Sequence, residues 1–360
     1  MSINKRVAWP DIAKGIGILL VVLDHTFIPR LREQFGYQFL QTYFALISMS
    51  LFFFISGWLF ELKAEKYEQN KLKAIGSKFI HLMIPYFSFS VLYYILFNIA
   101  LRIESLAPIF SMSNGGYEKS SLVDSAIQIL TFENSMAKSL WFLYVLFIIS
   151  VVNILFPKLM KNPVVVIVLF FLPYITKVIV LPDIIARSTL YFSFFSLARL
   201  LFNFTDKILA MKKSIYSIIF GVFILISAAY GIGLYYDLFA KEHIILNYLH
   251  VLIRSVLSLF SLVVIIVGAN YIANLKHGGM SKFLTYIGQN SFIIYLIHAP
   301  ILTQAVVSAM VKLVPFMPSF IDCLVGVAVG TGVSLLVSEF ILKKVPILNT
   351  IFTGAPYKKK

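Results

Sequence analysis

Hydrophobic positions in this chain come in long unbroken runs rather than in the alternating or one-faced patterns of a soluble domain. Ten runs can be marked, at residues 11–29, 39–61, 79–102, 139–157, 163–180, 188–204, 214–236, 248–272, 284–304 and 319–341. Most approach the ~20 residues that carry a helix across the ~30 Å hydrocarbon core of a bilayer. The pattern therefore predicts an all-α integral membrane protein of about ten transmembrane helices. The polar breaks are short. Residues 62–78 are rich in Lys and Glu and read as a solvated helix. The longest break, 103–138, holds the turn-rich SMSNGGY and then SLVDSAIQILTF, whose helical apolar spacing suits a helix lying along the membrane interface. Leu181-Pro182-Asp183 separates the fifth run from the sixth. The first run begins near Ile12, continues past signal-peptide length and is followed by no small-residue cleavage site, so it stays as the first span. No internal repeat is visible. The division expected is one transmembrane domain over 1–345 and a basic cytoplasmic tail over 346–360.

Composition agrees. The chain is 59% hydrophobic and 13% charged over 360 residues, against about half and about a quarter in a soluble domain. Its mean hydropathy is +0.88. The net charge of +15 belongs to loops rather than to a nucleic-acid surface, because no basic patch with interleaved aromatics stands apart from them. With the N-terminus inside, 19 of the 31 Lys and Arg fall on inner segments, 9 on outer segments or outer span ends, and 3 within spans. That ratio favours both termini in the cytoplasm of a multi-pass membrane protein, and the membrane expected is a bacterial inner or plasma membrane. The one cysteine, Cys323, lies in the last run and permits neither an intramolecular disulfide nor a cysteine metal site. No metal is expected.

The first run, DIAKGIGILLVVLDHTF, keeps four ionisable residues where one charge at mid-bilayer costs about 3 kcal/mol or more. Lys14 and His25 are eleven residues apart, three turns plus about 20°, so they share one face about 16 Å apart along the axis. Asp11 borders the same stripe, or simply caps the helix. Lys14 either lines a polar path or snorkels to the inner headgroups. Asp24 is about 100° round from His25. Gly15 and Gly17 allow close approach of another helix or a ligand. A lone histidine here would be a packed one. A histidine on a stripe with a cation and an anion is a candidate general base.

Five segments together resemble membrane acyltransferase family 3, especially the branch that resembles fucose O-acetylases. WPDIAKGIGILLVVLDH carries the family's basic residue, ten residues and then a histidine at Lys14 and His25. SLFFFISGWLF resembles its Phe-Phe-hydrophobic-Ser-Gly element, with Ser56 and Gly57. KFIHLMIPY resembles a basic cluster before Pro-Tyr, with Lys78 and His81 where arginines are usual. LWFLYVLF is similar to a Trp-Phe-Leu element at Trp141. IGQNSFIIYLIHAPIL resembles a late segment carrying a histidine, His298, with Tyr295 beside it. The resemblance covers nearly the whole chain. It implies acetyl transfer from acetyl-CoA to a hydroxyl of a cell-surface or lipid-linked glycan, in contact with membrane lipids. His25 would be the general base, with Asp24 the nearest carboxylate to orient it. Lys14, Arg6, Asp11, Lys78 and His81 would face the donor. Ser56, Trp141, Arg199, Tyr295 and His298 would face the acceptor.

Blander readings stand beside several of these. Ser56-Gly57 suits a packing notch, and Trp141 and Tyr295 suit interfacial aromatics. His298 precedes Pro300 near a span end, where it would be solvated. Arg199 would snorkel toward Asp206 and Lys207, and Arg254 would pair with Glu242 or Asp237. From another class, a transporter or flippase of a lipid-linked saccharide would need polar groups spread over many spans. Here they gather in the first and third.

Overall fold

The computed structural model describes residues 7–27, 35–108, 121–135, 137–176, 182–236, 238–239, 244–275 and 278–354. All regular elements among them are helices. In chain order the main ones are α1 (Trp9–Asp24), α2 (Phe35–Glu61), α3 (Lys71–Lys78), α4 (Ile84–Ala100), α5 (Leu122–Leu130), α6 (Trp141–Leu155), α7 (Pro163–Thr176) and α8 (Asp183–Leu201). There follow α9 (Lys213–Tyr235), α10 (Ile244–Ala273), α11 (Gly279–Gln289), α12 (Ser291–Ile297), α13 (Val306–Leu313), α14 (Ser319–Val337) and α15 (Pro346–Thr353). A π-helical segment, Phe79–Met83, joins α3 to α4 without a break. Among the described residues seven helices are long and apolar enough to cross a membrane, or eight when the bent pair α12–α13 counts as one span. The 16 residues of α1 and the 14 of α7 are shorter than that.

The first helix occupies the middle of the bundle. Trp9, Ile12, Ala13, Ile18, Val21 and Val22 are all buried, and α2, α10, α11 and α14 pack around it. Its closest approach is to α11. A Cβ on Gly288 would lie 1.7 Å from the Asp11 carbonyl oxygen, and one on Gly15 would lie 2.2 Å from that of Leu284. The two backbones touch, which only glycine permits on both sides. Gly17 meets the side chains of Leu51 and Phe52 on α2. Gly57 does for α2 and α8 what Gly288 does for α1 and α11, its Cβ position falling 2.2 Å from the Phe195 carbonyl oxygen.

Two expectations change here. The ninth run, 284–304, is a broken helix rather than a straight one. Ala299 takes an extended conformation (φ −119°, ψ 153°), as the residue before a proline tends to, and the two parts of the span are bent by 58°. Segment 121–135 touches the bundle where the buried Tyr86 hydroxyl donates to the Ile129 carbonyl at 2.9 Å, while Leu122, Val123, Ile127 and Leu130 stay exposed, the apolar surface that a helix lying along the interface presents to lipid. Residues 346–354 pack against the bundle rather than trailing from it, with Leu348 and Phe352 half-buried on its core. Phe352 packs on Phe89 with ring centroids 5.1 Å apart. Gly354, at φ +65°, sits so close to the π-helical segment that a Cβ would fall 2.4 Å from the Ile80 carbonyl oxygen. Residues 355–360, with the terminal lysines, lie outside the described residues.

The α1–α11 contact makes a direct prediction. Gly288→Ala forces the two backbones apart and costs at least about 3 kcal/mol, the upper range for overpacking. A lowered thermal midpoint of the detergent-purified protein, or loss of folded yield, checks it. Gly221→Ala, where nothing lies within 4 Å of the added carbon, leaves the midpoint unchanged or slightly raised.

Candidate functional site

From the Gly15–Gly288 crossing, α1 and the α11–α12 pair run the same way. Ten residues beyond each glycine stands a histidine. His25 and His298 meet there, ring centroids 5.0 Å apart and planes at 87°. Both rings are held the same way. The Nδ1 of His25 donates to the Val21 carbonyl at 2.8 Å. The Nδ1 of His298 lies 2.8 Å from the Ile294 carbonyl oxygen and 2.9 Å from that of Tyr295. A carbonyl can only accept, so the proton sits on Nδ1 and each Nε2 is left as a bare acceptor. The Nε2 of His298, in a fully buried ring, finds no hydrogen-bond partner among the described residues. His298 is therefore not the solvated residue of the bland reading.

The helix break explains how His298 is held. Pro300 has no N–H to give to the Leu296 carbonyl four residues back. The Tyr93 hydroxyl stands in for it, 2.5 Å from the Leu296 oxygen and 2.7 Å from that of Ala299. Thr303 donates to the His298 carbonyl at 3.1 Å. Carbonyls freed by the break are thus met by hydroxyls, as an apolar interior demands.

Asp24 does not orient His25. The Val21 carbonyl holds the Nδ1 that a carboxylate would take, and one Asp24 oxygen, Oδ1, is buried with no hydrogen-bond partner among the described residues. Asp24 and His25 are neighbours on a helix, about 100° apart, and the backbone is nearer.

Lys14 stays low on the stripe, 2.8 Å from Asp11, whose other oxygen accepts from Gln289 at 3.5 Å. Asp11 is therefore a counter-ion to Lys14 rather than an independent donor contact. A cavity of about 180 Å³ runs up from this pair. Lys14, Ser56, Gln289, Ser291, Val21 and Tyr295 line it, with Phe142 and Leu82. It brings together Lys14, Ser56 and Tyr295 from the expected set and adds Gln289 and Ser291. Lys78 and His81 border the segment that supplies Leu82. The Lys78 ammonium lies 5.5 Å above the rings of Phe60 and Tyr67, and the exposed His81 is tied to the Ser77 carbonyl at 2.6 Å. Arg6 lies outside the described residues.

Arg199 is placed elsewhere. It is 1% exposed, and its Nε donates to Glu61 at 2.8 Å. One terminal nitrogen donates to the Asn153 Oδ1 at 2.7 Å, and the guanidinium stacks over Phe60 at 4.9 Å. Lys161 closes the network on the other Glu61 oxygen. This cluster ties α2, α6 and α8 together, and it replaces both the acceptor contact and the snorkelling expected of Arg199. Periodicity could not show it, because Glu61, Asn153 and Arg199 are far apart in sequence. Trp141 is likewise no simple interfacial ring. It stacks on Tyr191 at 5.3 Å and near Phe53 at 6.2 Å, and the Arg187 guanidinium lies 4.8 Å from its ring.

Sequence reasoning missed Tyr93 and Arg187. A tyrosine in an apolar run carries no signal until its hydroxyl meets a broken helix. Two stability tests follow. Tyr93→Phe strands buried carbonyls at the break and costs about 1–3 kcal/mol, read as a lower melting midpoint. Arg199→Ala leaves Glu61 short of its buried partner and costs about 3–5 kcal/mol. The double change Glu61→Gln with Arg199→Met costs much less by the same measurement.

A family model described as an acyltransferase domain matches residues 7–339, so the chain belongs to acyltransferase family 3. No curated protein and no solved structure matches it.

Proposed function

We propose that this family member is a membrane O-acetyltransferase. In this reading it takes an acetyl group from acetyl-CoA on the cytoplasmic side and places it on a hydroxyl of a cell-surface or lipid-linked glycan. Membership of an acyltransferase family supports the reaction class. The donor, the glycan and the fucose O-acetylase-like branch are part of the proposal. So are the ten spans with both termini inside, which rest on the apolar runs and the distribution of Lys and Arg.

One observation carries the mechanism: two facing imidazoles, each with Nδ1 fixed on a backbone carbonyl and Nε2 bare. His25 accepts the proton of the acceptor hydroxyl on Nε2 as that oxygen attacks the thioester carbonyl. As the carbon–sulfur bond breaks, His25 returns the proton to the departing thiolate. The Val21 carbonyl does what a carboxylate does in other bases, fixing the tautomer through Nδ1. The bare Nε2 of His298 accepts a hydrogen bond from the acceptor and holds it against His25.

The cavity above Lys14 would hold part of the donor beside α1, reaching Val21, about one turn short of His25. Lys14 reads an anionic or carbonyl oxygen there, and Gln289, Ser56 and Ser291 supply neutral contacts. Lys78 and His81 stand toward the inner end in this reading, where the phosphates of the donor would stay in water, and Arg6 is assigned to the donor by its place in the sequence alone. Lysine and histidine make single contacts there rather than the bidentate ones of arginine. A flippase would use the same polar interior for passage, but a packed histidine pair beside a cavity this narrow suits chemistry at one point better.

His25→Ala protein of normal yield and melting midpoint transfers acetyl groups about 10²–10⁴-fold more slowly, measured with radiolabelled acetyl-CoA in membrane vesicles. The surface glycans of cells carrying it lose the acetyl increment in their mass spectrum. Full acetylation by His25→Ala would defeat this mechanism.

A further inference from the structure

A second cavity, of about 250 Å³, is lined in part by Trp141, next in sequence to the Phe142 that lines the one above Lys14. Tyr86, Tyr144, Trp141, Glu133, Lys138 and Arg187 line it. Its depth follows from α4. That helix runs 14 residues past Tyr86 to Ala100, about 21 Å. Tyr86 is bonded to the carbonyl of Ile129 and stacks against Phe132 at 5.5 Å and Tyr144 at 5.7 Å. The floor of the cavity is therefore sunk well below the Ala100 end of the bundle. Glu133 and Lys138 are exposed at its mouth and Arg187 is half-buried, so charges of both signs stand over an aromatic floor.

The cavity is also built with care. Phe132, on its wall, is the one non-glycine residue at positive φ (62°) among the described residues. Asn134 pins the following turn by accepting from the Ala137 N–H at 3.1 Å. Strain of this kind persists where a site needs it. The Arg187 guanidinium carbon lies 4.8 Å from the centre of the Trp141 ring, itself backed by Tyr191, a contact that limits where its planar fork can point. The wall is joined to the reaction centre. Tyr295 donates to the Ser139 carbonyl beside Lys138, and its ring is 6.3 Å from that of His298.

We propose that this recess binds one sugar unit of the acceptor, a unit bearing a carboxylate or phosphate. The proposal rests on the transfer reading above and names its substrate class. Arg187 takes the anionic group through paired hydrogen bonds, and Lys138 adds a point charge. Glu133 accepts from a sugar hydroxyl. The volume is below the 300–1,000 Å³ of drug-sized ligand sites and leaves room for a single ring. The ring then presents a neighbouring hydroxyl past Tyr295 toward His298 and His25.

The test is binding, so that it stands apart from catalysis. The full chain in phosphatidylcholine nanodiscs is titrated with methyl glucuronide, glucose 1-phosphate, methyl glucoside and inorganic phosphate, with the melting midpoint as readout. The expected result is a rise with at least one of the two sugar anions and none with the neutral glucoside. Arg187→Gln weakens that binding tenfold or more, Arg187→Lys only in part, and His25→Ala not at all. Should Arg187→Gln fail to fold, Lys138→Gln carries the same comparison with a smaller loss. Equal binding of the glucoside, inorganic phosphate binding as tightly as the sugar anions, or wild-type affinity in both charge variants would each overturn the proposal. Loss of transfer without loss of binding in His25→Ala keeps the two readings separate.

Discussion

The contact between Gly15 and Gly288 is the constraint on which the rest of the site depends. Where two backbones touch, neither helix can slide or roll without collision, and the register between them is fixed. His25 and His298 stand ten residues beyond, on helices that leave the crossing in the same direction. Their rings meet because that distance is the same on both sides. Lys14 and Asp11 sit at the crossing itself, so the cation of the stripe and the base at its far end are placed by one contact.

The bilayer supplies the second constraint. Every backbone group in the apolar interior needs a partner, yet a site needs groups that are free. The chain meets both demands at the α12 break. Pro300 removes one donor, Tyr93 replaces it, and the His298 ring turns its Nδ1 to carbonyls of its own helix. What remains exposed to chemistry is one nitrogen of a rigid ring. The Glu61–Arg199–Asn153 cluster solves a different problem with similar parts. There every charge is met by an opposite charge or an amide, and nothing is left over for a ligand. Buried ionisable residues in a membrane protein are thus of two kinds, told apart by whether a polar atom stays unpartnered.

Depth organises the remaining polar groups. The segment before α6 descends into the bundle, tied by Tyr86 and Tyr295 to the helices on either side. It divides the interior into a narrow cavity above Lys14 and a charged recess under Trp141.

Much of this was legible in the sequence. The apolar runs give an all-helical membrane protein, and the eleven-residue interval puts Lys14 and His25 on one face. Gly15 and Ser56-Gly57 read correctly as places of close approach, because periodicity and residue size act locally along a helix. The family follows from short segments in order. The tertiary structure alone decided what each polar group touches. Val21 rather than Asp24 holds His25, Asp11 neutralises Lys14, and Arg199 belongs to Glu61. Residues 346–354 pack against the bundle, although their composition suggests a tail. Those outcomes depend on pairs up to 278 residues apart in the chain, as with Asp11 and Gln289. Local pattern sets which face of a helix is polar. Only packing sets which partner that face meets.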